Sequence, residues 1–370
     1  MGALEKLTAR IAFSQLRGMN PTLAREILSR IGSEEEFFAA TASQLGALTS
    51  TRSRIFDRDY RDSLIERARR ERDFIAANNI RPLYFTDEDY AHRLDDVTDA
   101  PIMLYALGQA DLNRGHVIGI VGTRHATPYG IDFVNRLVAD TAAALAEPVI
   151  VVSGLAFGID AAAHNAALRN NTATAGILAH GLNMIYPAQH RQLAADMVRS
   201  GGMLVTEYTS DAPVHKGNFL ARNRIVAGLC DVLIVAESAR KGGAMVTARL
   251  ASDYNREVFA LPGRTSDKYS QGCNHLISSH VATLVSDAAG LIDAMGWRVR
   301  ESAPTQRQLF PTLSPEELTV TECIARKGEA TLPEITMALN SPVAKVMALL
   351  IDMEFKNLIL TYPGGKYRLA

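Results

Sequence analysis

The sequence predicts an α/β fold: a largely parallel sheet preceded by a small helical module and followed by a second small module. The first observation is the stretch from His116 to His164. It opens with the apolar run His116-Val-Ile-Gly-Ile-Val-Gly-Thr-Arg124. It closes with Val149-Ile-Val-Val-Ser-Gly154, which leads into an Ala-rich helical pattern. Short β-branched runs joined by a helical pattern read as a β-α-β unit, and such units build parallel sheets. The second observation is that further apolar runs follow at 173–179, 203–206, 231–236 and 257–260, with helical patterns between most of them. With 116–122 and 149–153 they make one extended Rossmann-type sheet. Both opening runs stop at glycine, Gly122 and Gly154, so two glycine loops sit side by side at the carboxyl ends of neighbouring strands. Ligands collect at that edge of open α/β sheets. The N–H groups of the following helix starts favour an anion there, phosphate above all.

Residues 1–80 read as a helical domain. Leu4, Leu7, Ile11 and Leu16 follow helical spacing. Leu16-Arg-Gly-Met-Asn-Pro-Thr-Leu-Ala-Arg25 is a glycine turn with Pro21 opening the next helix. Ser33 is placed to cap a further helix and Glu36 to complete a capping box. The segment resembles a SAM or helix-hairpin-helix module. Arg17 stands where that module has proline and Asn20 where it has its second glycine, so packing or protein contact is favoured over DNA contact. Arg52 to Asp73 is a mixed-sign charge run, read as a solvated helix with compensating pairs.

A new unit starts at Arg81-Pro-Leu-Tyr-Phe85, takes its next strand from Asp99 to Gly108, and runs to 296. Its connection from Tyr208 to Phe219 is polar and holds Pro213 and Gly217, which suits a long functional loop. Residues 297–313 lack periodicity and hold two prolines, as a linker would. Beyond it, Ser314-Pro315 and Thr331-Leu-Pro333 each mark a capped helix start, and Ser341-Pro342 opens a third helix ending near Glu354. Residues 358–369 form a hairpin around Pro363-Gly364-Gly365. Three helices and a hairpin over 314–370 make a winged helix, whose third helix usually reads DNA. Here that helix is mainly apolar (Val343, Val346, Met347, Leu349, Leu350, Met353), with Lys345 and Lys356 its only basic residues, so a protein contact is favoured.

The 370 residues are too many for one ordinary domain. A net charge of −1 argues against a strong overall positive field, so any nucleic-acid site must be a local patch. Cys230, Cys273 and Cys323 are far apart and form no C-x-x-C pair, which argues against a thiolate metal site or disulfide framework. Met1 to Leu16 carries Glu5, Lys6 and Arg10 among its apolar positions, unlike a signal peptide, and no apolar run is long enough for a bilayer. A cytoplasmic protein without a membrane partner is expected.

The chemistry-bearing stretches point to binding. Gly119-Ile-Val-Gly122-Thr-Arg124 is not G-x-G-x-x-G and lacks the following ribose-binding acid, so dinucleotide binding is disfavoured. What remains is a tight turn with Arg124 placed to clamp a phosphate. Ser153, Asp160 and His164 invite a triad reading. Asp160 and His164 are four apart on one helix, however, so an intrahelical pair is simpler, and the G-x-S-x-G elbow is missing. Gly154 and Gly158 would let the backbone approach a ligand closely. Asn218-Phe219-Leu-Ala-Arg222-Asn223-Arg224 joins an aromatic to two arginines, the combination that holds single strands without reading sequence. Lys241-Gly242-Gly243, followed by Thr247, is a third Gly-rich loop at the same edge, without the P-loop pattern. No H-E-x-x-H or His/carboxylate cluster at metal spacing is present. No cofactor, metal or catalytic residue is expected.

Eight ordered motifs carry a resemblance: Val121-Gly-Thr-Arg124; Ser153-Gly-Leu-Ala-Phe-Gly-Ile-Asp160 with His164; Gly181-Leu-Asn-Met-Ile-Tyr-Pro187 with His190; Thr206-Glu-Tyr208; Asn218 to Gly228; Gly242-Gly-Ala-Met-Val-Thr-Ala248; Val258-Phe-Ala-Leu-Pro-Gly263; and Gly272-Cys-Asn-His-Leu-Ile277. The middle of the chain thereby resembles the DNA processing protein A (DprA, or Smf) family. The resemblance implies a homodimer that binds single-stranded DNA, protects it, and loads the recombinase RecA onto it during natural transformation. It carries the family's guanidinium over to Arg124, its aromatic to Phe219 and its R-N-R to Arg222, Asn223 and Arg224. With the loops read above, the expected DNA contacts also include Gly122, Thr123, Ser153, Gly154, Phe157, Gly158, Asn218, Lys241, Gly242, Gly243 and Thr247. Many members have a basic residue just before the R-N-R and a proline before that. Ala221 and Leu220 stand there in this chain, and Lys216 is the candidate to compensate. The family's dimer contact maps to Leu276, Ile277, Val281 and Leu284. The alternative is a nucleotide phosphoribohydrolase of the lysine-decarboxylase-like family. That family's P-G-G-x-G-T-x-x-E loop is missing, because Pro262-Gly263 runs on into Arg264-Thr265.

Overall fold

A computed structural model describes residues 3–49, 54–300, 313–356, 358–362 and 365–369. They fall into two compact units, Met1–Arg300 and Glu301–Ala370. Most of the expected linker, the Pro363-Gly364 tip and Arg52 lie outside the described residues.

The first unit opens with helices α1 (Ala3–Ser14), α2 (Pro21–Ile31), α3 (Glu34–Ala39), α4 (Ala42–Thr49) and α5 (Arg58–Ala77). Asn20 caps α2 by accepting from the Leu23 N–H at 2.9 Å, and Pro21 follows as its first residue. Ser33 caps α3 by accepting from the Glu36 N–H. The charge run on α5 is not simply a solvated face. Its outer arginines do pair with acids, Arg58 with Asp62 and Arg69 with Glu66. Arg61, however, is fully buried, and donates to the carbonyls of Phe37, Phe38 and Ala40 at the end of α3.

Nine strands follow: β1 (Arg81–Tyr84), β2 (Met103–Gly108), β3 (His116–Val121), β4 (Val149–Ser153), β5 (Ala173–Ile177), β6 (Met203–Thr206), β7 (Val232–Val235), β8 (Glu257–Ala260) and β9 (Thr283–Leu284). They form one sheet in the order β1-β2-β6-β5-β4-β3-β7-β8-β9. From β6 to β9 all neighbours are parallel, and β1 and β2 add an antiparallel edge. The chain winds outward from β3 through β4, β5 and β6, then returns to place β7 on the other side of β3. The topological switch point therefore lies between β3 and β7.

The strand residues alternate between two layers, as the period of two requires. Ile118, Ile120, Val151 and Ile234 pack against α6 (Pro128–Ala144), α7 (Ile159–Arg169) and α12 (Ala288–Met295). Val117, Val121, Val152, Leu233 and Val235 face the other way. They share a core with α9 (Lys216–Leu229), α10 (Gly243–Asp253), α11 (Gln271–Ser278) and the N-terminal helices. A smaller cluster seats α8 (Arg191–Arg199) through Ala194 and Met197. The helical segment over 1–80 thus packs into the same compact unit as the sheet. Arg10 reaches Asp87 at 2.9 Å, Arg67 pairs with Asp211, and Glu71 accepts from the Ser210 N–H and hydroxyl.

The second unit is built from α13 (Pro315–Lys327), β10 (Ala330–Thr331), α14 (Leu332–Leu339), α15 (Val343–Phe355), β11 (Ile359–Tyr362) and β12 (Lys366–Leu369). Its strands pair antiparallel in the order β10-β12-β11. Ser314 with Glu317 and Thr331 with Glu334 form capping boxes at the starts of α13 and α14. Val320, Ile324, Ile335, Val346, Leu350, Met353 and Ile359 make its core. No single helix among the described residues is long and apolar enough to cross a membrane.

Candidate functional site

Three loops leave the carboxyl ends of β3, β4 and β7, and they meet at the switch point. Between them lies a cavity of about 350 Å³. Gly122, Thr123 and Arg124 form one wall, Phe219, Arg222 and Asn223 of α9 a second, and Gly242, Gly243 and Thr247 of α10 a third. The first turn of α10 therefore borders the cavity, and the leading N–H groups of a helix have no partner within it and carry the positive end of the dipole.

Arg124 is exposed, and its guanidinium lies over the Phe219 ring, 5.8 Å from the centroid. Phe219 is also met edge-on by Tyr186 at 5.6 Å. Phe219 sits in the first turn of α9, because that helix starts at Lys216, inside the stretch expected as a loop. The His215 side chain accepts from the Gly217 N–H and caps it. Among the described residues, Arg124, Lys216, Arg240 and Lys241 have no carboxylate partner.

Other expected contact residues are committed elsewhere. Arg222 is buried and donates to the Gly154 carbonyl at 2.7 Å and to the Ile177 carbonyl, at the ends of β4 and β5. Its guanidinium thus clamps the sheet edge at the cavity wall. Arg224 is paired with Glu207 and does not line the cavity. Ser153 is fully buried and donates to the Ile120 carbonyl at 2.6 Å. Asn218 donates to the Pro213 carbonyl. Phe157 lies outside the cavity lining, half-exposed and edge-on to His190.

The two glycines expected to admit a ligand instead admit the protein itself. A Cβ on Gly154 would lie 2.5 Å from the Arg222 guanidinium. Gly158 has φ +77°, and a Cβ there would lie 2.2 Å from the Thr123 carbonyl oxygen. Glycine at 158 thus lets the β4 loop press against the turn that carries Arg124.

The expected Asp160–His164 pair is not formed. Asp160 accepts from the Ala156 N–H at 3.2 Å, and the His164 Nδ1 meets the Thr174 hydroxyl at 2.7 Å. Burial pushes the Asp160 carboxyl up, opposed chiefly by the positive charge of Arg222. Burial pushes the His164 imidazole down to about 3. With the His164 Nδ1 on Thr174 and its Nε2 without a partner, the imidazole offers no base to the buried Ser153 hydroxyl. Among the described residues, no group of three or more His, Cys, Asp or Glu side chains is placed to hold a metal ion.

Sequence reasoning passed over several members of the site. His125 and Ser238 line the cavity, and Tyr186 flanks Phe219. Tyr186 belongs to one of the motifs quoted above, the only signal that could have marked it. Of the expected dimer residues, Leu276 is 2% exposed in the core and unavailable to a partner. Ile277 and Val281 are partly buried against the same core, and Leu284 is 50% exposed on the edge strand β9.

Residues 81–296 match the family model described as DNA recombination-mediator protein A. The Smf protein of Escherichia coli K12 is 35% identical over 286 residues, covering 76% of this chain and 75% of that protein. The X-ray structure of DNA processing protein A from Streptococcus pneumoniae aligns with a TM-score of 0.62 at 26% identity, over 79% of this chain and 98% of that one. DNA processing protein A from Helicobacter pylori, whose structure was determined for its single-stranded DNA binding mode, aligns with a TM-score of 0.52 at 29% identity, over 59% of this chain and 97% of that one. With its switch-point loops inside the matched span, and with a relative this similar over three quarters of its length, the chain belongs to the DNA recombination-mediator protein A family.

Proposed function

We propose that this protein binds single-stranded DNA along the carboxyl rim of its sheet, protects it, and hands it to the recombinase RecA during natural transformation. The observation that carries the reading is the Arg124 guanidinium over the Phe219 ring at the mouth of the switch-point cavity. A base can lie against an aromatic face while a phosphate meets the guanidinium and the first amides of α10, which holds a strand without reading its sequence. The likeness to the Helicobacter pylori protein supports the same ligand. A phosphoribohydrolase is not favoured: the acid on the cavity wall, Asp160, is 7% exposed and already accepts from a backbone N–H.

Lys216 and Lys241 are proposed as flanking phosphate contacts, while Arg222 and Arg224 serve as supports. Homodimerisation is proposed through the β9 edge, centred on Leu284. The second unit is proposed as a winged helix that meets a protein rather than a DNA groove. In it Lys345 pairs with Glu316 and Lys356 with Glu317, while Val343, Met347, Ile351 and Phe355 are exposed along α15. A mobility shift with oligo-dT tests the central claim. Binding that weakens steeply with salt, and weakens again in Arg124→Ala, supports it. Absence of a shift at low salt refutes it.

A further inference from the structure

A second and larger cavity, about 930 Å³, opens beside the first at the ends of β7 and β8. Thr127, Tyr129, Glu237, Arg264, Lys268 and Tyr269 are among its walls. The two cavities share a partition. His125 lines the first, Tyr269 lines the second, and their rings stack with centroids 6.1 Å apart and planes 23° apart. Ser238 on the wall of the first donates its N–H to the Tyr269 carbonyl at 2.6 Å.

The chemistry of the second cavity repeats that of the first. The Lys268 ammonium lies 5.4 Å from the Tyr269 ring centroid, as Arg124 lies over Phe219. Arg264 and Lys268 are exposed, and neither has a carboxylate partner among the described residues. Tyr129 is half-exposed, and its hydroxyl donates to the Pro262 carbonyl at 2.7 Å, which holds the ring at the mouth. Two carboxylates are also present. Glu237 is buried, and its two oxygens already accept from the Thr127 N–H at 2.8 Å and hydroxyl at 2.6 Å. Asp267 is exposed and accepts from the Ser266 hydroxyl.

We propose that this cavity is a second seat for the same polynucleotide. A strand leaving the Arg124–Phe219 cavity passes over the stacked His125 and Tyr269 rings and sets its next phosphates against Lys268 and Arg264. The inference rests on the single-strand reading of the first cavity, and it adds length and direction to that reading: the strand runs from β3 toward β8. Single-strand grooves of this kind occupy about 4–16 nucleotides, so the two seats separate short ligands from long ones.

The test uses the full chain and fluorescence anisotropy with labelled oligo-dT of about 4 and about 12 nucleotides. The Arg264→Ala/Lys268→Ala double variant is expected to bind the short oligomer as the parent does. It should lose about tenfold on the long one, with a salt slope shallower by about 1 to 1.5. Lys268→Glu should deepen the loss on the long oligomer. Unchanged affinity for the long oligomer overturns the second seat. So does equal weakening at both lengths, which would place these residues at the first cavity. The first-cavity reading fails by a separate result, an Arg124→Ala variant that binds the short oligomer as tightly as the parent.

Discussion

Arg124 and Phe219 come from different elements, one from the turn after β3 and the other from the first turn of α9, and the guanidinium lies 5.8 Å from the ring centroid. In the proposed strand site their proximity would make the two side chains one binding element. Phe219→Ala is expected to cost about 1–3 kcal/mol of single-strand affinity, the usual worth of stacking on one base. Arg124→Ala should weaken binding to all sequences alike and flatten the dependence of log K on log salt by roughly 0.7 to 1. Because the two touch, the double variant should lose less than the sum of the single losses. Titrations with oligo-dT and a mixed-sequence oligomer at three salt concentrations check this. Additive losses would mean that the residues act independently.

Gly158 packs against the turn that carries Arg124. Its φ of +77° is costly for any side chain, and an added methyl carbon would lie 2.2 Å from the Thr123 carbonyl oxygen and 2.7 Å from the Arg124 carbonyl carbon. Gly158→Ala is therefore expected to lose about 1–3 kcal/mol of stability and to shift the Arg124 turn. Thermal unfolding should show the first effect and weakened oligo-dT binding the second. A variant with unchanged melting and unchanged affinity would show that the loop yields freely.

The strands were legible because β-branched runs of four to six residues carry their own period, and each expected run from β3 to β8 is a strand to within two residues of its bounds. β2 begins at Met103 rather than near Asp99, since Pro101 has no N–H to give a ladder. β9 was not legible, because two residues show no alternation. In the site, Arg124 and Phe219 were found through strand-end glycines and an aromatic–arginine cluster. The fates of Arg222 and Arg224 were hidden. Nothing in Arg-Asn-Arg tells a guanidinium that faces water from one buried on two carbonyls, because that depends on the strand ends stacked beneath it.

That burial gives Arg222 a distinctive signature. Removing it leaves the Gly154 and Ile177 carbonyls without this donor and Asp160 without its main opposing charge. Arg222→Met is expected to lose about 3–5 kcal/mol of stability. Arg222→Lys should recover little, because one ammonium does not match the planar fork. The fraction that remains folded should keep the parent's salt slope for oligo-dT. A shallower slope with normal melting would return Arg222 to the phosphate contacts.

His164 should make the protein acid-sensitive. The Thr174 hydroxyl donates to the Val151 carbonyl at 2.8 Å, so its oxygen accepts the His164 Nδ1–H. The Nε2 is left buried without a partner, and a proton there has no acceptor. Burial accordingly pushes the imidazole down to about 3, against about 6.5 in an unfolded chain. Between those values the unfolded chain takes up a proton that the folded one refuses. The stabilisation is therefore complete above about pH 6.5 and drains away as pH falls toward 3, at up to about 1.4 kcal/mol per pH unit. Glu71, Asp160 and Glu207, pushed up by burial, work in the opposite direction in the acid range. The informative quantity is thus the stability difference between the parent and His164→Gln, followed by urea unfolding from pH 7 to pH 5. That difference should shrink with acid; curves that stay parallel over the two units would show that His164 is protonated in the folded state.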